Sequence, residues 1–240
     1  MTNPLVLQIE EMQISRGQGN ESFRVILPHL SLDAGQVVAL TGPSGCGKST
    51  LLECIGLLLK PDHVRLHNLK SLDLLDSKHE SSGIREKFLA QVRGNFLGFV
   101  PQTGGLLPFL SVQGNIDLPN RMLGKATSDP IIEMVIDRLG LRPLLERSPS
   151  QLSIGERQRV SFARAVAHSP ALLLADEPTA ALDPDLAKKI IVLMMEVVRE
   201  LDISALIVSH EWSILSELGI GRIAGIPHGE RATVFDGSPR

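Results

Sequence analysis

The residues best suited to chemistry lie in a glycine-rich segment, residues 42–50, whose sequence is GPSGCGKST. The segment fits the pattern G-x-x-x-x-G-K-[ST] and stands between a strand pattern and a helix pattern, as phosphate-binding loops do. Glycines let backbone N–H groups turn toward phosphate oxygens, and a helix start adds a dipole that favours anions. We expect Lys48 to reach the β- and γ-phosphates of a nucleotide and the Ser49 hydroxyl to bind Mg²⁺. The residues predicted to contact the nucleotide here are Gly42, Pro43, Ser44, Gly45, Cys46, Gly47, Lys48, Ser49 and Thr50.

Two carboxylates follow an apolar strand pattern at residues 172–177, LLLADE. In parallel sheets, functional groups gather at the carboxyl ends of the strands. We expect Asp176 to hold Mg²⁺ through water and Glu177 to orient or deprotonate an attacking water. The alternative is a solvated acidic turn after a core strand, which the presence of a phosphate loop disfavours.

A third motif, LSIGERQR at residues 152–159, opens a helix pattern. Ser153 is a good N-cap residue, and Glu156 follows at the third helical position. The residues alone therefore predict a capping box.

The elements that must position these motifs alternate between strand and helix, which predicts an α/β fold with a parallel sheet covered by helices. Strands are predicted at 5–14, 23–32, 37–40, 97–100, 171–175 and 204–209, and helices at 49–59, 84–93, within 111–147 and at 185–201. Residues 60–82 are predicted to be polar and irregular, and residues 222–235 to form a terminal hairpin.

The composition is that of an ordinary globular protein, with 43% hydrophobic and 21% charged residues in a chain of 240, which suffices for one large α/β domain. A net charge of −3 argues against nucleic acid as a partner, because phosphate contacts need clustered Lys and Arg. Two cysteines, Cys46 and Cys54, cannot make a disulfide framework, so we expect a reducing compartment. We expect neither a signal peptide nor a membrane helix, since apolar runs fall far short of the ~20 residues that a span needs.

The order of the phosphate loop, the motif LSIGE, the strand ending in ADE and the sequence ALD at 181–183 resembles the ATP-binding-cassette (ABC) ATPases. This resemblance covers nearly the whole chain. It implies a P-loop NTPase (RecA-like) core with a parallel sheet, an N-terminal antiparallel β subdomain and a helical insert. It further implies a single domain, 1–240, in which 1–87 and 165–240 form the nucleotide-binding core and 88–164 the mainly helical subdomain. The implied cofactors are ATP and Mg²⁺.

The resemblance also implies roles for residues outside these motifs. Gln102 resembles the Q-loop glutamine that senses Mg²⁺ and the attacking water, and His210 resembles the switch histidine that contacts the γ-phosphate. Asp183 resembles the D-loop residue that meets the other subunit, although aspartate is also a common turn residue. Taken alone, such a Gln or His would most often be only a surface residue.

In the family, the helix start at 152–156 closes over the γ-phosphate held by the opposite subunit, so Ser153, Gly155 and Glu156 are implied nucleotide contacts. The family's usual sequence there is LSGGQ. Here Ile154 replaces the first glycine and Glu156 replaces glutamine, which puts a bulky group near the dimer seam. Gly155, the position that most needs to lack a side chain, is kept.

The family usually stacks adenine on an aromatic ring early in the chain, and this chain has no tyrosine. Phe23, by stacking, and Arg16, by cation stacking, are the candidates. Phe23 is equally well explained as a core strand residue.

The segments GFVPQ, NIDLP, SIGERQR and LLADEPT resemble the ATPases of bacterial lipoprotein-release and macrolide-export systems. The implied function is the ATP-hydrolysing subunit of an ABC transporter, which dimerises with a second copy or a related cassette around two ATP and drives transmembrane permease subunits. The implied location is the cytoplasm, peripheral on the membrane's cytoplasmic face through the permease. Residues 104–110, GGLLPFL, are the expected docking surface, unless they pack against the helical insert.

Two other functions use the same motifs. A signalling ATPase of the cell-division type would drive a membrane partner that transports nothing and regulates cell-wall hydrolysis. A soluble ABC protein of DNA repair or translation is disfavoured, because the chain has no coiled-coil insert, zinc module, paired cassette or basic stripe.

Overall fold

The computed structural model describes residues 4–17, 22–76, 82–127, 129–210 and 212–237. Within these ranges lie ten strands, seven α-helices and two 3₁₀ turns, Arg142–Leu144 and Pro149–Gln151. The strands are β1 Leu5–Arg16, β2 Phe23–Asp33, β3 Val37–Thr41, β4 Leu66–Leu69, β5 Leu72–Asp73, β6 Leu97–Val100, β7 Leu172–Asp176, β8 Ser204–Val208, β9 Gly221–Pro227 and β10 Ala232–Phe235. The helices are α1 Lys48–Ile55, α2 Ser82–Phe96, α3 Val112–Met122, α4 Pro130–Arg138, α5 Ile154–Val166, α6 Pro184–Glu200 and α7 Trp212–Glu217.

The ten strands form one sheet in the order β5-β4-β1-β2-β10-β9-β3-β8-β7-β6. At one end, β1 pairs antiparallel with β2 and with β4. At the other end, β9, β3, β8, β7 and β6 run parallel to one another. The predicted parallel sheet and the antiparallel N-terminal strands are therefore confirmed.

Strands β3, β7 and β8 are buried on both faces, because two hydrophobic clusters cover the two sides of the sheet there. In β7, Leu173 and Ala175 belong to the cluster formed with α3 to α6, whereas Leu172 and Leu174 belong to the cluster around α1. Alternate residues of one strand thus anchor in two cores. The residues that follow the carboxyl end of β7 are held firmly as a result.

Several element boundaries differ from prediction. The helix predicted over 49–59 ends at Ile55, since Gly56 caps α1 and Leu57 has a left-handed φ of 60°. The stretch predicted to be irregular, of which 77–81 lie outside the described residues, contains β4 and β5, which extend the antiparallel edge. Helix α7 lies where no helix is predicted. The terminal hairpin is confirmed by the antiparallel pairing of β9 with β10.

The segment between β6 and β7 is helical, with α3, α4, both 3₁₀ turns and α5. The predicted boundaries at 87/88 and 164/165 fall inside α2 and α5, and the division into two subdomains stays a prediction. In the described part of the chain, no helix has the length and apolar character that a membrane crossing requires.

A buried histidine in β4 makes the stability of the fold depend on pH. Burial, with a smaller contribution from Arg85, lowers the pKa of His67 from 6.5 to about 4. Between these values the unfolded chain binds more protons than the folded chain, so the free energy of unfolding falls as the pH drops. We expect a loss on the order of 3 kcal/mol from pH 6.5 to 4, which His67→Phe removes.

Urea denaturation of the wild type and His67→Phe at pH 7.5 and pH 4.5 measures this difference. The same substitution at the exposed His29 is the control and should leave the pH dependence as it is. Equal pH dependence in the wild type and His67→Phe would contradict the assignment.

Candidate active site

Residues 42–47 form a tight loop between β3 and α1. Its glycines have left-handed backbone angles, with φ of 151° at Gly42, 76° at Gly45 and 92° at Gly47. A Cβ on Gly47 would approach Cγ2 of Val25, in β2, to 2.3 Å. A glycine is therefore required at 47 both for its conformation and for its contact with the antiparallel strands. The predicted glycine loop is present, and the neighbouring sheet fixes its shape.

Lys48 begins α1 and is only 5% exposed. Its ammonium donates hydrogen bonds to the carbonyl oxygens of Gly42, at 3.1 Å, and Pro43, at 3.0 Å. A buried cation at a helix N-terminus is a setting that favours a phosphate group, because the charge and the helix dipole act together. Cys46 is buried in the core cluster around α1, which agrees with a packing role rather than a redox role.

A hydroxyl and a carboxylate meet where α1 faces the end of β7. Ser49 Oγ donates to Asp176 Oδ1 at 3.0 Å. Burial raises the pKa of Asp176, and the charges of Glu177 and Glu53 act in the same direction, while the Ser49 hydrogen bond opposes them. A bound cation would relieve this accumulation of negative charge, and hydroxyl and carboxylate oxygens are donors that suit Mg²⁺.

No group of three or more His, Cys, Asp or Glu side chains in the described ranges is placed to hold a metal ion on protein ligands alone. A Mg²⁺ at Ser49 and Asp176 would therefore complete its shell with phosphate oxygens and water, as Mg²⁺ usually does.

The carboxylate of Glu177 is held by two partners and is 16% exposed. Gln102 Nε2 donates to Glu177 Oε2 at 3.2 Å, and His210 Nε2 lies 2.8 Å from Oε1. The backbone N–H of Glu177 donates to the carbonyl oxygen of Val208, and its φ of 46° lies in the left-handed region. An oriented carboxylate at the rim of a phosphate site can position a water and accept its proton.

The parallel sheet brings these groups together. Strands β3, β8, β7 and β6 are neighbours, and each ends at the same edge. The phosphate loop follows β3, Glu177 follows β7, Gln102 follows β6, and His210 follows β8. Residues from four separate segments of the sequence therefore converge on one edge, as expected for an open α/β sheet.

The start of α5 shows the predicted capping box. Ser153 Oγ accepts from the backbone N–H of Glu156 at 3.3 Å, and Glu156 Oε2 accepts from the N–H of Ser153 at 2.7 Å. The backbone hydrogen bond from Ser153 lowers the pKa of Glu156, so this carboxylate stays ionised and complements the helix dipole. Each of these side chains thus accepts a hydrogen bond from the backbone N–H of the other residue.

Gly155 is buried against α6. A Cβ there would lie 3.3 Å from both Ile190 Cδ1 and Leu186 Cδ2, closer than nearly all such contacts. A side chain at Gly155 would therefore require Ile190 and Leu186 to give way by a few tenths of an ångström. Ile154, by contrast, is 45% exposed.

Asp183 caps α6, with its Oδ1 accepting from the N–H of Leu186 at 3.0 Å. The two adenine candidates lie opposite each other in the β1–β2 ladder. Arg16 forms a 2.6 Å ion pair with Glu53, and Phe23 packs partly buried against the core beside the phosphate loop. Phe23 thus borders the loop, whereas Arg16 is held beside α1 by Glu53.

Three side chains that hold the segment after β6 in place were not predicted from the sequence to do so. Gln158 Nε2 donates to the carbonyl oxygen of Gln102 at 3.0 Å, and Arg164 donates to the carbonyl oxygens of Gly105, at 2.9 Å, and Gly104, at 3.2 Å. The buried Asn115 exchanges hydrogen bonds with Leu107. The available signal was weak: one glutamine on the buried, otherwise apolar face of a helix pattern.

Comparison with known proteins gives concordant results. Residues 28–180 match the family described as "ABC transporter". The chain is 36% identical over 219 residues to the lipoprotein-releasing system ATP-binding protein LolD of Legionella pneumophila (strain Paris), covering 90% of this chain and 93% of that protein. It is 36% identical over 205 residues to the methionine import ATP-binding protein MetN of Bordetella avium, covering 84% of this chain and 53% of that protein. Among solved structures, the dimeric ATP-binding cassette MJ0796, in a post-hydrolysis state with ADP and Pi, matches with a TM-score of 0.74 and 28% identity, covering 91% of this chain and 93% of that one.

Proposed function

Because this chain belongs to the ABC transporter family and is an ATP-binding, ATP-hydrolysing subunit that acts with ATP and Mg²⁺, we propose that the edge formed by β3, β8, β7 and β6 binds one ATP and performs its hydrolysis. The observation that carries this assignment is the carboxylate of Glu177, which Gln102 and His210 hold beside the loop of Lys48. The nucleotide contacts proposed within one chain are Gly42, Pro43, Ser44, Gly45, Cys46, Gly47, Lys48, Ser49 and Thr50.

Each group has a distinct part in the proposed reaction. Lys48 binds the β- and γ-phosphates, and Ser49, Gln102 and Asp176 would hold Mg²⁺. When bound, Mg²⁺ neutralises the charge that develops on the phosphate oxygens. Glu177 orients the attacking water and takes its proton. His210, on the other oxygen of Glu177, contacts the γ-phosphate.

The test is phosphate release by the purified chain with ATP and Mg²⁺. We expect turnover that stops when EDTA removes the metal, with kcat on the order of 10 s⁻¹. Absence of hydrolysis under all conditions, including with the membrane partner present, would overturn the proposal.

A second copy of the chain completes the site in this proposal. Ser153, Gly155, Glu156 and Asp183 of one copy meet the nucleotide bound by the other. The capped start of α5 is exposed, and the side chain of Ile154 beside it leaves apolar surface for a neighbouring copy to cover. The helix dipole at this position favours a phosphate.

A negatively charged capping residue separates the structural role of Ser153 from nucleotide contact. Aspartate caps a helix as well as serine does, so Ser153→Asp should change the free energy of unfolding by less than about 1 kcal/mol. A second carboxylate, added beside that of Glu156 and facing the γ-phosphate, would repel it, so ATP-dependent dimerisation should weaken and kcat should fall at least about tenfold.

Analytical ultracentrifugation with ATP, in a Glu177→Gln background, measures the dimer. Ser111→Asp is the matched control, since Ser111 is also an N-cap, at α3, where it accepts from Gly114 N at 3.1 Å. If Ser153→Asp dimerised like Ser111→Asp, the contact across the dimer would be wrong.

We further propose that this ATP-hydrolysing subunit drives a transmembrane permease of the lipoprotein-release type. The match to LolD supports this branch because it extends over nearly all of that protein, whereas the match to MetN covers about half of it. Through the permease the chain would lie on the cytoplasmic face of the membrane.

A groove of about 470 Å³ between α2, β6 and α3 is the proposed docking site. Its lining is mainly apolar and includes Phe99, Leu118 and Met122, of which Met122 is 80% exposed. Within the predicted docking segment 104–110, Phe109 is 78% exposed, but Leu106 packs against the core. One part of the segment is therefore available for docking, and another part packs in the core. The groove beside it extends the surface that a cytoplasmic helix of the permease would cover.

Purification of tagged Glu177→Gln with ATP and Mg²⁺ from gently solubilised membranes, followed by mass spectrometry, tests this assembly. A co-purifying membrane protein with a large extracytoplasmic domain and effects on lipoprotein sorting would support it. Filamentation without any defect in sorting would favour the cell-division alternative, and only soluble partners would exclude both.

A further inference from the structure

Gln158 connects the start of α5 to the catalytic carboxylate through one intervening residue. We propose that Gln158 is a positioning residue for hydrolysis, which transmits the position of α5 through Gln102 to Glu177. This inference rests on the proposed function of the site.

The path consists of two hydrogen bonds that share one residue. Gln158 Nε2 donates to the main-chain oxygen of Gln102 at 3.0 Å, and the side-chain amide of Gln102 donates to Glu177 Oε2 at 3.2 Å. A movement of α5 that draws the Gln102 carbonyl with it also moves the amide that orients Glu177. The carboxylate is thus sensitive to a helix that it does not touch.

Arg164 makes the loop after Gln102 follow the same helix. Its guanidinium donates to the carbonyl oxygens of Gly105 and Gly104, two glycines with left-handed φ of 57° and 75°. Two side chains of α5, Gln158 and Arg164, therefore hold the backbone from 102 to 105. Because both come from one helix, this backbone and α5 move as a unit.

The far end of α5 is fixed more tightly than its start. A Cβ on Gly98, in β6, would approach the carbonyl oxygen of Ala165 to 2.2 Å, so the helix backbone lies directly on the strand there. The first turn of α5, with Ser153 and the exposed Ile154, is the end proposed to meet the second copy's nucleotide. Engagement at that turn tilts the helix about its contact with β6, and Gln158 lies between the two ends. We expect closure of the dimer to shift the Gln102 amide and, through it, the carboxylate of Glu177.

Gln158→Met tests the path with little effect on the fold. Methionine fills a similar volume, and Gln158 Oε1 has no hydrogen-bond partner among the described residues, so its removal leaves no partner unsatisfied. Gln102 is exposed, so its carbonyl oxygen can be hydrated when the donor is lost. We expect kcat to fall roughly tenfold, KM for ATP to change less than about twofold, and Tm to shift by no more than about 3 °C.

Gln113→Met is the matched control, because Gln113 also donates one side-chain hydrogen bond within the helical region, to Asp117 at 2.7 Å. It should leave kcat unchanged. The double variant Gln102→Ala/Gln158→Met should be no slower than Gln102→Ala alone, since Gln158 acts through Gln102.

The outcomes are distinguishable. A wild-type chain that hydrolyses ATP beside a Gln158→Met variant of equal kcat overturns this inference and leaves the proposed function standing. Additive losses in the double variant, or a fall in kcat that Gln113→Met reproduces, also overturn it, since Gln158 would then be only structural. A wild-type chain without hydrolysis overturns both.

Discussion

Glu177→Gln is expected to bind ATP with nearly wild-type affinity and to hydrolyse it at least about 100-fold more slowly. Glutamine preserves the volume of the side chain but cannot accept a proton from water. Its neutral amide also removes a negative charge from beside Asp176, whose pKa that charge helps to raise. The variant should therefore accumulate as the ATP-bound dimer rather than turn over.

Single-turnover phosphate release measures the loss of hydrolysis, and ultracentrifugation with ATP measures the accumulation of the dimer. Glu196→Gln, at an exposed glutamate of α6, is the control and should behave as wild type. Hydrolysis by Glu177→Gln at the wild-type rate would remove Glu177 from the mechanism and leave the phosphate loop's role intact.

Lys48→Ala is expected to weaken ATP binding about 100-fold, equivalent to roughly 2.7 kcal/mol. The ammonium is buried and already directed to the mouth of the loop by the carbonyls of Gly42 and Pro43. Its loss removes the main positive charge available to the phosphates without changing the loop's glycines. The affinity for ATP, and not only the rate of hydrolysis, should therefore decrease.

Equilibrium titration with a fluorescent ATP analogue gives Kd for both proteins. Lys60→Ala, an exposed lysine beyond α1, controls for the general loss of positive charge. An unchanged Kd in Lys48→Ala would mean that the loop's backbone alone holds the phosphates.

Local motifs made much of the site predictable. Residues 42–50 and 172–177 each combine a short strand pattern with the polar groups that follow it, so both chemistry and position could be inferred. The sheet order then determines that segments ending at the same edge meet, which is why Gln102, Glu177 and His210 lie together.

What could not be predicted depends on contacts between distant segments. The hydrogen bond from Gln158 to Gln102 joins residues 56 apart in the sequence, and no local pattern marks it. The burial of Gly155 against α6 likewise arises from packing, so a motif that suggests dimer contact also has a role inside one chain. Strands β4 and β5 were missed because β4 carries His67 and Asn68 among its apolar residues and joins the sheet through the distant strand β1, while β5 is only two residues long.

The left-handed backbone of Glu177 has a consequence for how this position can evolve. A glutamate with φ of 46° costs roughly 1–2 kcal/mol relative to an extended or helical conformation, whereas glycine adopts the same angle freely. Selection for stability alone would therefore favour glycine at 177, and a library screened only for thermal tolerance should enrich it. Such variants would unfold at a higher temperature and would lose ATP hydrolysis. At this position, therefore, thermal stability and activity favour different residues.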